Sequence, residues 1–278
     1  IVASITFMSG FCRAADRELL LFAAVASKIP VEELVKNFEE KNKIKVVPNF
    51  GASGMMLAQI EMAKKGDIYF PASSDFMVKA KKRGILLETT EARIVYIVPS
   101  IIVRKGNPHK ITSVRDLCKP GLKVVLANPE SAAIGLLSVE LLEAALDTDE
   151  IKAFRKNLVT YGENVEKMAN LIALNNADAG IGWHTTPNNS PDKIEFVKIA
   201  PENIVRAGYL SAAVTACSAD AAEAQKFIDY MRSPEGMAVF KKFNYFENSA
   251  EAFKFIGAEK IVEPVEYKLS GEWNAQIK

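Results

Sequence analysis

Glu18-Leu19-Leu20-Leu21-Phe22-Ala23 runs directly into Ala24-Val25-Ala26-Ser27 and then into Lys28-Ile29-Pro30-Val31. The mostly apolar first run suits a buried strand, the small residues after it suit a tight junction, and Pro30 suits the start of a helix. Beyond Pro30, Val31, Leu34, Val35 and Phe38 recur at i, i+3, i+4 and i+7, with Glu32, Glu33, Lys36 and Glu39 between them. That spacing places the apolar residues on one helical face. A buried strand followed by an amphipathic helix is the repeating unit of α/β folds. The same rhythm predicts strands over residues 44–47 and 67–70 and helices over 55–65 and 74–83, the second ended by Gly84. After an apolar stretch at 94–104 it resumes, with strands predicted at 123–127, 158–161 and 179–183 and helices at 133–146, 150–157 and 164–175. A β-rich region at 196–199 and 205–217 leads into two helices, 219–232 and 234–243.

The chain has 278 residues, more than an ordinary domain of roughly 100–200 residues. No Pro- or Ser-rich linker separates the two βα series. Two α/β lobes joined without a spacer imply that the chain crosses between them as paired strands, here near 94–104 and 205–215, so that the lobes hinge about a cleft. The expected division is 16–96 plus 208–246 for lobe I, 97–207 for lobe II, and a C-terminal extension over 247–278.

Composition narrows the function. Thirty-five Lys and Arg against 34 Asp and Glu give a formal charge of +1, which leaves no positive field to hold nucleic acid or an anionic membrane. Three Cys and two His are too few for a zinc site of the usual Cys/His type. The apolar segment ending in Gly10-Phe11, followed by Cys12-Arg13-Ala14 and the charged Asp16-Arg17-Glu18, reads as the tail of a secretory signal peptide over 1–15, cleaved after Ala14 or Ala15. Phe11 before Cys12 fits a lipid-attachment motif poorly, because a small residue is wanted there. Export would permit a bridge between Cys118 and Cys217, although sequence separation says nothing about contact.

No enzyme motif is present. Gly-x-Ser-x-Gly, His-Glu-x-x-His and a Walker loop are all missing, Gly180-x-Gly182 lacks a third glycine, and an enzymatic alternative would have to draw on His184. The informative positions are strand-to-helix junctions. At Phe50-Gly51-Ala52-Ser53-Gly54-Met55, glycines let the backbone turn its N–H groups outward and Ser53 is expected to cap the helix. Such a terminus attracts anions through unpaired N–H donors and the positive end of the helix dipole. Similar junctions occur at Ala23-Ala24-Val25-Ala26-Ser27, at Asn128-Pro129-Glu130-Ser131-Ala132-Ala133 and at Tyr161-Gly162-Glu163-Asn164-Val165. All four lie at carboxyl ends of predicted strands, where open α/β sheets bind ligands, and each lobe supplies two.

These residues resemble those of the periplasmic molybdate/tungstate-binding proteins of ABC transporters, within the type II solute-binding proteins. The resemblance spans roughly residues 18–246. Its motifs include Leu21-Phe22-Ala23-Ala24, Phe50 with Ser53, Asp67-Ile68-Tyr69-Phe70-Pro71-Ala72-Ser73, Asn128-Pro129-Glu130, Glu163-Asn164-Val165, Gly180-Ile181-Gly182-Trp183 and Phe227-Ile228-Asp229-Tyr230. It implies a two-lobed periplasmic-binding-protein-like fold that is not an enzyme. An interlobe cleft would capture a tetrahedral oxyanion, molybdate or tungstate, without a cofactor or a directly bound metal ion. A monomer in the periplasm or otherwise outside the cytoplasm would deliver the ligand to a permease in the inner membrane. Carried over position by position, the ligand set is Ala26, Ser27, Ser53, Ile134, Val165 and Trp183. Ser53 and Val165 match the family pattern. Ala26 stands where the family has serine, with Ser27 one place later; Ile134 replaces a small alanine, and Trp183 replaces a tyrosine. Those departures leave open a different oxyanion or a small organic acid.

Overall fold

The computed structural model describes residues 18–262 and 267–273; the expected leader lies outside them. In chain order the first elements are β1 (Glu18–Ala24), α1 (Lys28–Asn42), β2 (Lys45–Gly51), α2 (Ser53–Ala63), β3 (Ile68–Phe70), α3 (Ser74–Lys82) and β4 (Ala92–Ile97). The next are β5 (Pro99–Arg104), β6 (Val124–Ala127), α4 (Ala133–Ala145), α5 (Thr148–Asn157), β7 (Leu158–Gly162), α6 (Val165–Ala173), β8 (Ala179–Trp183) and β9 (Ile194–Lys198). The chain continues with β10 (Gly208–Val214), α7 (Ala221–Arg232), α8 (Pro234–Lys242) and α9 (Ser249–Ile256).

Two five-stranded sheets result, ordered β2-β1-β3-β10-β4 and β7-β6-β8-β5-β9. β1 pairs in parallel with β2 and β3, and β6 with β7 and β8, strands that parallel pairing requires to be joined by crossover connections. β10 runs antiparallel to β3 and β4, and β5 antiparallel to β8 and β9. The molecule is therefore a two-lobed α/β fold of the periplasmic-binding type. Between β4 of the first sheet and β5 of the second lies Val98 alone, so the outward crossing is one residue long. The return runs from β9 into β10, which pairs with β4 from Gly208↔Ile97 to Ala212↔Ala92. These are the two crossing strands of the hinge.

The predicted helical face of α1 is the buried one: Val31 and Leu34 are 0% exposed and Phe38 is 1% exposed. Phe38 packs edge-on to Phe227 of α7 at 5.0 Å, which joins α1 to the helices that return after β10. Gly84 ends α3 with φ +64°, a conformation that suits glycine. Helix starts differ from the sequence reading. α1 begins at Lys28, two residues before Pro30, and α2 begins at Ser53 because Ala52 is still extended (φ −65°, ψ 142°). Cys118 and Cys217 are both free thiols.

Candidate ligand-binding cleft

Each βα junction turns its backbone through small residues, so that helix N-termini from the two lobes meet in one place. A cleft of about 220 Å³ is lined by Ala24, Val25 and Ala26 after β1, Gly51, Ala52 and Ser53 after β2, and Ala72 after β3. Ala132, Ala133 and Ile134 at α4, Asn164 and Val165 at α6, and Trp183 at the end of β8 close it from the second lobe. None of the lining residues is ionisable. Five of the six residues expected to bind ligand are brought together here.

The helix ends supply donors. The capping positions Ala52 and Ala132 carry no side-chain cap. The first intrahelical bonds run from Met56 N–H to the Ala52 carbonyl (3.0 Å) and from Leu136 N–H to the Ala132 carbonyl (3.1 Å), so the amides of Ser53, Met55, Ala133 and Ile134 precede the helical ladder. Asn164 caps α6 by accepting from Lys167 N–H at 3.0 Å, leaving the Val165 amide ahead of that cap. The Gly54 N–H donates across the cleft to the Ser131 carbonyl at 2.8 Å, and Lys28 faces Glu166 at 3.7 Å. The lobes are thus in contact, in a closed arrangement.

Trp183 is the most telling side chain. It is 1% exposed, and its indole Nε1–H is buried without a hydrogen-bond partner among the described residues. A buried donor left unmade costs about 1–3 kcal/mol. Its backbone N–H donates to Thr186 Oγ1 at 2.9 Å, and Gly208 makes room for the ring, since a Cβ there would stand 2.8 Å from Trp183 Cζ3.

Residues 19–245 match the family model described as bacterial extracellular solute-binding protein. The chain belongs to this family. Among relatives, it is 26% identical over 228 residues to the putative ABC transporter substrate-binding lipoprotein YvgL of Bacillus subtilis, covering 82% of this chain and 85% of that one. It is 23% identical over 230 residues to the molybdate-binding protein ModA of Rhodobacter capsulatus, covering 81% and 87%. The sulfate-binding protein SubI of Mycobacterium tuberculosis has the same fold, with a TM-score of 0.75 at 15% identity, covering 88% of this chain and 92% of that one. By family the protein is therefore a solute-binding protein.

In this solute-binding protein Ser27 departs from expectation. Its hydroxyl donates to the Ala24 carbonyl at 2.9 Å and is fully buried, because the 3-10 turn Val25–Ser27 folds it back on the strand end. It does not line the cleft and does not replace the hydroxyl missing at Ala26. Ser53 also differs from its expected capping role. As the first helical residue it accepts from the Ala72 N–H at 3.1 Å, tying α2 to the loop after β3, while Tyr69 donates to its carbonyl at 2.8 Å. Ala72, quoted above only within a family motif, was not among the expected ligand residues. Neither was Tyr245, whose hydroxyl donates to the Ala26 carbonyl from behind; no local motif announces such a contact 219 residues away.

His184 is not at the cleft. Its Nδ1 accepts from Val98 N–H (3.1 Å), its Nε2 meets the Asn244 carbonyl (2.7 Å), and its ring stacks on Phe246 at 4.7 Å. Burial pushes its pKa down to about 4, although the two backbone partners oppose the shift. It is a neutral hinge residue with both ring nitrogens engaged.

Proposed function

We propose that this solute-binding protein captures a tetrahedral oxyanion, molybdate or tungstate, between its lobes outside the cytoplasm and presents it as a monomer to an ABC permease. The observation that carries the reading is that Trp183, whose buried Nε1–H has no partner among the described residues, lines an uncharged cleft ringed by helix N-termini from both lobes. Oriented dipoles can hold a dianion without a neutralising side chain. Ala26, Ile134 and Val165 would contribute amides, Ser53 its hydroxyl or amide, and Trp183 its indole N–H. Closure follows from the ligand bridging both lobes, which binds the closed state better and shifts the population toward it.

A second reading, another oxyanion or a small organic acid, is favoured by the apolar surface that Ile134 and Trp183 add to the wall and by the resemblance to a sulfate-binding protein. A thermal-shift series with molybdate, tungstate, sulfate and small carboxylates separates the two. At a hundredfold excess over Kd a ligand stabilises by about 2.7 kcal/mol, a rise of roughly 5–10 °C for a chain of this size. Molybdate or tungstate should give the largest rise; no shift with any tetrahedral oxyanion up to millimolar concentration rejects the leading reading.

A further inference from the structure

The chain after Phe246 lies beyond the residues that match the family model, yet its described residues, 247–262 and 267–273, are built into the fold. Phe246 exchanges hydrogen bonds with Tyr96 of β4, N–H to carbonyl at 3.1 Å and carbonyl to N–H at 2.8 Å. Asn248 then caps α9 by accepting from Glu251 N–H at 3.0 Å, and Gly257 ends it with φ +91°. From α9, Phe255 packs on His184 (5.0 Å) and Phe196 (5.9 Å) of the second lobe. Further on, Ile261 forms a parallel bridge with Arg206, in the return crossing.

Residues 267–273 then touch both lobes. Tyr267 donates its N–H to Asp75 Oδ1 of α3, in the first lobe, at 3.4 Å. The same residue donates its hydroxyl to Glu143 of α4, in the second lobe. Glu143 also accepts from Ser270 Oγ at 3.3 Å and from Trp273 Nε1 at 2.8 Å. Trp273 is 1% exposed, its ring 6.0 Å from Phe154 of α5, and Arg155 donates to the Glu272 carbonyl at 2.6 Å. One end of the tail is therefore fastened to the first lobe and the hinge, the other to the second lobe. Its contacts at Asp75 and Glu143 share a residue only while α3 and α4 are close.

We propose that this tail is an interlobe strap, with Trp273 as its anchor, that raises the closed population of the protein before any ligand arrives. Its consequence for affinity rests on the reading that the ligand sits between the lobes. Apparent affinity scales with the fraction of molecules in the binding-competent state, so loosening the strap weakens binding without touching the cleft.

The test measures closure directly in the full chain. With Cys12, Cys118 and Cys217 replaced by Ser, spin labels at Lys65→Cys and Glu130→Cys report the distance between lobes by pulsed electron resonance in the ligand-free protein. The parent should give a short, narrow distribution, and Trp273→Ala should add a longer-distance population. Glu143→Gln should do the same in a smaller proportion, and it carries the test if Trp273→Ala does not fold. The dissociation constant for molybdate should rise about 3- to 10-fold in both variants. Unchanged distances in Glu143→Gln, and in a folded Trp273→Ala, would overturn the strap. If the parent binds no molybdate, the functional reading fails while the distances still decide the strap.

Discussion

Trp183 and His184 are neighbours with opposite fates, and each makes a prediction. Trp183 holds a buried N–H that no described residue satisfies. Trp183→Phe keeps most of the ring and removes that donor, so the ligand-free protein should melt at the same temperature or slightly higher. Its affinity for molybdate should nevertheless fall about 10- to 100-fold by calorimetry, the worth of one hydrogen bond to a charged acceptor. His184 has its pKa lowered to about 4, against about 6.5 when unfolded. The unfolded chain takes up the proton first, so stability is lost as pH falls from about 6.5 to about 4, at up to about 1.4 kcal/mol per unit. Urea titrations between pH 7 and 4 should show this slope, and His184→Phe, which cannot protonate, should flatten it. At this scale the sequence was partly legible. Small residues at strand ends pointed to the junctions that hold Ala26, Ser53 and Val165, and the family resemblance added Ile134; all four line the cleft. Ser27 could not be read the same way, because one short turn decides whether its hydroxyl faces ligand or strand.

Among the elements, the helices whose N-termini face the cleft are set by how closely the chain can pass at the junction. At Gly135 an added Cβ would stand 2.4 Å from the Ala127 carbonyl oxygen and 2.6 Å from that of Asn128, backbone atoms that cannot step aside. Gly135 therefore lets the first turn of α4 lie against the end of β6, which is what aims the Ala133 and Ile134 amides into the cleft. Gly135→Ala should cost about 1–3 kcal/mol through overpacking, visible as a lower melting temperature, and should weaken molybdate binding even where the protein folds. The helix itself was expected, over 133–146, from the recurring βα rhythm. Its placement to within an ångström was not, because Gly135 reads in sequence only as a weak helix former.

For the whole molecule, the lobes meet at a buried ion triad. Arg206, in the return crossing, donates from Nη1 and Nη2 to Asp75 of α3 at 2.9 and 3.1 Å and from Nε to Glu140 of α4 at 2.8 Å. All three are at most 8% exposed. Burial alone would lower the Arg206 pKa, but the two carboxylates hold it above its ordinary range; burial pushes the Glu140 carboxyl up while Arg206 opposes it. The two-sheet division and the crossings were legible because strands and their linkers are local patterns. The triad and the anchoring of Trp273 were not, because they join residues more than sixty positions apart. The energetics of such a cluster are asymmetric. Arg206→Met would leave two carboxylates buried without a counter-ion and should destabilise by about 3–5 kcal/mol in urea. Adding Asp75→Leu and Glu140→Leu to that variant should restore most of the loss, because removing the whole cluster also removes the cost of desolvating it. If the triad instead acted as a simple sum of attractions, the triple variant would be the least stable of all, so the order of the two midpoints separates the accounts.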